Sequence, residues 1–322
     1  MTMAEPAAVP SVRVGTSGWS YPSGRGTWNG LFYPTRGAGG FCAADELPYY
    51  AEHFDTVEVN STFYRAPAPA TSARWARETP GGFAFSVKLH QRFSHVRPVG
   101  HLASPPSETG TSVPAPSAAD ADAFRRAVGP IGDAGKLGAV LVQFPPAFHR
   151  DDASVAYLGQ LLATFREYPM AVELRHRSWS DAAAQVAAQL DEFQAAWVLI
   201  DEPKFASSIR QDLAQRADRC SYLRLHGRNA AQWWTPDAPE DRYNYLYSTD
   251  ELWTFAALAA TPGARARKTY VYLNNHFAAK SVVNAAILKH LLGQPVTGAF
   301  RPELLGAYPT LRPIVPVERG LF

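Results

Sequence analysis

Cysteine is nearly absent from this chain: Cys42 and Cys220 lie far apart and form no paired or clustered spacing. That excludes a disulfide framework and a cysteine metal knuckle, and reads as free thiols in a reducing compartment. No apolar run approaches the ~20 residues that span a bilayer. The opening MTMAEPAAVPSV lacks the basic start and apolar core of a secretory leader. A cytoplasmic protein with no membrane partner is therefore expected. Charge of one sign is scarce as well. A net charge of +2 over 322 residues leaves no electrostatic footprint for bulk nucleic-acid binding. Cofactor and nucleophile signatures are missing too. There is no GxGxxG turn after a strand, no phosphate-cradling loop, no GxSxG elbow and no HExxH or HxH pair. No cofactor is expected on that basis.

What the chain does have is alternation. Eight β-branched or aromatic runs read as strands: 12–18, 56–60, 83–90, 138–144, 170–175, 196–201, 221–226 and 269–274. Helical patterns fall between them at 48–54, 71–79, from 121, 153–168, 181–193, 249–261 and 281–293. Thr249 or Asp250 is the expected cap of the 249–261 helix. Strand and helix in alternation argue an α/β protein with a parallel sheet, and eight units argue a single (β/α)8 TIM-type barrel over 12–322. The sixth unit is its irregular one, because SSIRQDLAQRA at 207–217 reads as a short helix or as a loop. Residues 1–11 read as a flexible tail, and the Pro- and Ser-rich 103–120 as a mobile surface loop. The Gly- and aromatic-rich stretch from Gly18 to Gly40 is a long loop after the first strand, where barrel function usually sits. Packing explains its Trp19, Tyr21, Trp28 and Tyr33 less well than it explains the other tryptophans.

Successive side chains on a strand face opposite ways. Sorted by that rule, each strand has an apolar set for the helix layer, such as Val198 and Ile200 or Leu223 and Leu225. The complementary sets end in polar groups near the carboxyl ends: Arg13 and Ser17, Glu58 and Asn60, Lys88 and His90, Gln143, Glu173 and Arg175, Asp201, Arg224 and His226, Tyr272 and Asn274. Barrel active sites are built at that end. Arg13, low on its strand, reads as structural. Buried charges need partners; Glu58 is expected to reach Lys88, and Glu173 and Asp201 to serve Arg175 and Arg224. The interior sums to slightly positive, which suits phosphate or carboxylate.

Several blocks in this order resemble a known family. GTSGW at 15–19, FYP at 32–34, YYAEHFDTVEVNSTFYRAP at 49–67, FSVKLH at 85–90, LVQFPP at 141–146, AVELRHRSW at 171–179, RLHGR at 224–228 and NNHFAAKSVVNA at 274–285 are similar to the signature blocks of the YecE-like family, domain of unknown function 72. The resemblance implies a TIM barrel. It also implies that Glu58, Asn60, Lys88, Glu173, Arg175, Arg224, His226, Asn274 and Asn275 occupy motif positions. It implies no activity. One departure is Ala279, where the family pattern has glycine.

The expected function is an enzyme of the hydrolase, lyase or isomerase kind, acting on a small anionic molecule. Arg224 and Arg175 would clamp the anion. Glu173 or Glu58 would be general base and His226 general acid. Lys88 would stabilise developing charge or, as the lesser option, form a Schiff base. Asn60, Tyr64, His90, Asp201, Asn274 and Asn275 complete the substrate side. Three alternatives stand. A divalent metal could use Glu58, His90, Glu173, Asp201 and His226, although Lys88, Arg175 and Arg224 would repel it. A nucleic acid could stack on the basic and aromatic stretch 224–247, which its own acids dilute. A non-catalytic sensor of a metabolite would use the same pocket.

Overall fold

Parallel strands joined by helical crossovers account for the architecture of the computed structural model, which describes residues 11–96, 113–211, 220–261 and 268–318. The strand segments are β1 (Ser11–Ser17), β2 (Thr56–Val59), β3 (Ala84–Lys88), β4 (Leu137–Gln143), β5 (Met170–Glu173), β6 (Ala196–Trp197), β7 (Leu199–Asp201), β8 (Cys220–Leu225) and β9 (Lys268–Leu273). They pair in the order β6-β5-β4-β3-β2-β1-β9-β8-β7, every pair parallel. The two ends of that order, β6 and β7, are halves of one strand interrupted at Val198. The first half pairs with β5 and the second with β8, so the sheet curls into a nearly closed barrel.

The interruption is held by a side chain. Gln211 accepts from Ile200 N at 3.1 Å and donates to Val198 O at 2.6 Å, standing in for backbone partners. The sixth unit is thus irregular as the sequence indicates. Residues 202–211 contain no helix, and 212–219, which include the rest of the expected 207–217 stretch, lie outside the described residues. Of the expected tail 1–11, residues 1–10 lie outside them as well and Ser11 opens β1; most of the 103–120 loop also lies outside.

The described helices are α1 (Glu46–His53), α2 (Pro69–Arg77), α3 (Ala118–Asp133), α4 (Asp152–Thr164), α5 (Arg177–Ser180), α6 (Ala183–Glu192), α7 (Thr249–Ala260), α8 (Lys280–Leu291) and α9 (Pro302–Ala307). α3 begins three residues before the expected start at Ala121, so the last residues assigned to the surface loop are its first turn. A capping box explains this: Ser117 accepts from Asp120 N while Asp120 accepts from Ser117 N. The same device, with Ser248 and Glu251, starts α7 at Thr249, so the cap lies ahead of the expected Thr249 or Asp250. None of the described helices is long and apolar enough to cross a membrane.

The floor of the barrel is filled with rings. Tyr222, Tyr270 and Tyr272 are buried inside it, and the Tyr272 hydroxyl lies 2.9 Å from Ser86 Oγ and 2.6 Å from Thr56 Oγ1. Arg13 closes the amino-terminal end by donating to Asp55 O and Gly82 O at 3.0 and 2.6 Å, the structural role its low position indicates. Two glycines admit the close packing here, Gly15 against backbone of the neighbouring strand and Gly138 against a ring. A Cβ at Gly15 would come 2.2 Å from Thr56 O, and one at Gly138 would come 2.9 Å from the Tyr270 hydroxyl oxygen. Gly138→Ala should therefore cost about 2 kcal/mol by overpacking. Tyr270→Phe in the same chain should recover part of that loss; purely additive losses in urea unfolding would contradict the contact.

The Gly18–Gly40 loop folds back as a packed cover. Trp28, Phe32 and Tyr33 are fully buried, and Trp28 Nε1 donates to His276 O at 2.7 Å. Packing therefore does explain Trp28 and Tyr33, against the expectation from the sequence. Ala278 and Ala279 answer this cover from the β9–α8 turn. Both adopt left-handed backbone (φ 51° and 59°), and Ala278 N donates to Gly26 O at 2.8 Å. The close backbone approach survives the alanine at position 279, at the cost of a strained turn.

Candidate active site at the carboxyl rim of the barrel

Strand parity brings the charged groups together. On β8, Tyr222 and Arg224 face the lumen, and His226 follows one residue beyond the strand end. Arg224 is the hub, 1% exposed. Its Nε and Nη2 donate to the two oxygens of Glu58 at 2.9 and 2.7 Å. Its Nη1 donates to Glu173 Oε2 and, at 3.2 Å, to Gln143 Oε1. Tyr222 donates to Glu58 Oε2 at 2.6 Å. β2 and β8 are not neighbours in the sheet, so Glu58 spans the lumen. The expected Glu58–Lys88 pair is not among the described ion pairs, because the β2–β3 register sets Glu58 level with Ser86, one layer below Lys88.

Arg175 forms the next tier. Its Nε and Nη2 approach Glu173 Oε1 at 2.7 and 2.6 Å, and its Nη1 lies 3.4 Å from Glu202 Oε2. Burial alone would raise the Glu173 carboxyl, but Arg224 and Arg175 outweigh it and hold the group well below the carboxylate range. Glu202 goes the other way: burial raises its carboxyl despite Arg175. His226 Nε2 lies 3.2 Å from Arg175 Nη2, and His226 Nδ1 lies 2.8 Å from Asn274 Nδ2. Burial, then the nearby Arg224 charge, push this imidazole down to about 3, so it is neutral around pH 7.

Lys88 ends β3 at the same level. Its Nζ donates to Gln143 Oε1 at 2.8 Å and sits 4.1 Å from the centroid of the Phe63 ring. Burial, then Arg224, push the amine down to about 7. Around it the rim opens. Lys88 is 9% exposed, the Arg175 side chain 14%, and Gln143 and Asn60 are half-buried. Asn60 Oδ1 is buried with no hydrogen-bond partner among the described residues. An aromatic roof stands over one side: Tyr21 stacks on His276 at 4.3 Å, Tyr243 lies 4.8 Å from His276, and Trp233 lies 6.4 Å from His226.

Four expected residues sit elsewhere. Asp201 does not serve Arg175 or Arg224. It holds Arg228 through both carboxylate oxygens and accepts from Tyr247 OH at 2.7 Å. The break at Val198 is the reason: it sets Asp201 level with Leu225 and Ile200 level with Arg224, reversing the expected faces. Asn275 turns away from the lumen, donating to Tyr245 O and Asn284 Oδ1 at 2.8 and 2.7 Å. His90 caps the turn after β3, accepting from Arg92 N, and lies 3.2 Å from Tyr64 O. Tyr64 is 61% exposed, with its ring edge-on to Phe63. The five ligands proposed for a metal consequently share no centre, and the described residues hold no group of three or more His, Cys, Asp or Glu able to bind one. In the basic and aromatic stretch, Arg224 and Arg228 are spent on internal carboxylates and Arg242 lies over Trp233.

Glu202 and Tyr222 are site residues that sequence reasoning passed over. The parity of Tyr222 with Arg224 was a visible signal. Glu202 had none, since it follows the broken strand.

Comparison with known proteins completes the description. The model for the family described as "Protein of unknown function DUF72" matches residues 13–305. UPF0759 protein YunF of Bacillus subtilis is 28% identical over 303 residues, covering 91% of this chain and 99% of that protein. The crystal structure of a DUF72 family protein from Thermotoga maritima is similar with a TM-score of 0.71 and 31% identity, covering 88% of this chain and 100% of the other. A DUF72 family protein from Enterococcus faecalis gives 0.70 and 25%, covering 88% and 95%.

Proposed function

This chain belongs to the DUF72 family, and on that premise we propose that it is an enzyme that holds a small phosphate- or carboxylate-bearing molecule at the carboxyl rim of its barrel and performs acid–base chemistry on it. One observation carries the reading. Lys88 and Arg175 are cations at the rim that retain contact with solvent, whereas Arg224 below them is wholly consumed by Glu58 and Glu173. The roles follow from that division. Arg224, Glu58 and Glu173 form a frame that sets the position of Arg175. Arg175 Nη1, whose one contact among the described residues is the long one to Glu202, is the seat for the anion. Lys88, close to half-protonated at neutral pH, is the base. Glu202, whose carboxyl burial raises, takes the acid role that neutral His226 does not fill.

Calorimetry against a panel of small phosphates and carboxylates tests this. At least one should bind the wild-type protein. Arg175→Gln should weaken that binding at least tenfold, the value of one lost charge-assisted contact or more. A panel with no binder, or equal affinity in the variant, would dismiss the reading.

A further inference from the structure

We infer that Lys88 is a nucleophile, condensing through Nζ with the carbonyl carbon of a small oxo-acid to give a protonated imine; this deepens the proposed function and rests on its seat for the anion at Arg175.

The geometry around the amine carries the inference. A buried lysine kept for structure fills its donors, as Lys136 does here with Ala76 O, Thr79 O and Thr79 Oγ1, all within 3.1 Å. Lys88 is as deeply placed, yet among the described residues its Nζ makes one hydrogen bond, to Gln143, and no ion pair with a carboxylate. Its other neighbour is the Phe63 ring. An amide oxygen and a phenyl face cannot take a proton, so no internal relay leads away from this nitrogen. The strand anchors it: Thr62 Oγ1 donates to the Lys88 carbonyl oxygen at 2.6 Å. An amine held still, without a carboxylate, beside a seat for an anion is arranged for attack on a carbonyl. The lowered proton affinity supplies the free lone pair.

The step balances without an oxidant or reductant. The Nζ lone pair forms the C–N bond and the carbonyl π pair moves to oxygen. A proton passes from nitrogen to that oxygen, giving a carbinolamine. The hydroxyl then takes a proton from water at the open rim and leaves as water, and the nitrogen lone pair closes the C=N bond. The iminium carries one positive charge where the ammonium would, over Phe63.

The probes are glyoxylate, pyruvate and glycolaldehyde phosphate, each with sodium cyanoborohydride, followed by intact-mass and peptide mass measurement. With at least one of them, the wild-type chain should gain a single reduced adduct on Lys88, a carboxymethyl group in the case of glyoxylate. Lys88→Met and Lys88→Arg should gain none there, the arginine variant serving if the methionine variant misfolds. Arg175→Gln should slow labelling at least tenfold. Binding that depends on Arg175 without an adduct on Lys88 overturns the nucleophile and leaves the anion seat standing. An adduct on Lys88 indifferent to Arg175→Gln overturns the seat and with it the proposed function. Neither binding nor adduct with any probe overturns both.

Discussion

Arg224→Leu should lose on the order of 3–5 kcal/mol of folding stability, seen in thermal unfolding as a fall of roughly 4–7 °C. The loss comes from what the guanidinium leaves behind. Glu58 and Glu173 are both fully buried, and Arg224 binds one on each side. Without it, Glu58 keeps only Tyr222 among its described hydrogen bonds, and Glu173 keeps Arg175 alone as a close guanidinium partner. The penalty should shrink in acid. In the wild-type fold the Glu173 carboxyl lies well below its ordinary 4.5, so its contribution is fully present above that value and is lost as pH falls through the lowered one. Removing Arg224 raises the folded value, so the variant loses less than the wild type on acidification. Adding Glu58→Gln should also cost far less in the variant than in the wild type, because one network is being removed twice. A loss under about 1 kcal/mol, or additive effects, would show that the hub does not hold the frame. Anion binding alone cannot report on Arg224, since the guanidinium expected to clamp a substrate is occupied by the protein's own carboxylates.

Lys88→Met should move stability the other way while destroying the site. The folded amine lies at about 7 against an ordinary 10.5. Between those values the unfolded chain holds a proton that the folded chain does not, so wild-type stability rises with pH across that window. Below pH 7 the folded state must carry the buried charge and the penalty is complete. The methionine variant, free of it, should be more stable than wild type by on the order of 3–5 kcal/mol at pH 6.5, with the gap closing toward pH 10.5. Urea unfolding at pH 6.5 and 9.5 measures this. A gap that stays the same at both values would mean that Lys88 titrates normally, and would remove its candidacy as base and as nucleophile.

Much of this site was legible from period-two patterning. Tyr222, Arg224 and His226 had to share a face, as did Lys88 with Ser86, because the opposite positions are apolar and buried. The choice of partners was not legible. Glu58 pairs across the lumen with a strand three places away in the sheet, and only the curvature of the closed ring brings them together. Asp201 and Glu202 exchanged roles for a different reason: a single interruption at Val198 shifts parity, and nothing in AWVLID marks where a ladder will break. Asn275 lies past the end of β9, where alternation no longer binds the chain to the lumen. Its partner Asn284, on α8, supplies a polar contact in a helix buried on nearly every side.

The interrupted strand also sets where the cylinder can breathe. Every other junction in the ring rests on a continuous strand, but closure here passes through two short halves and the amide of Gln211. A seam closed partly by a side-chain amide has fewer backbone hydrogen bonds to break before it opens. Glu202 is the next residue after it, so any loosening of the wall would displace the carboxylate beside Arg175, and the rigidity of the ring and the geometry of the rim become one mechanical property.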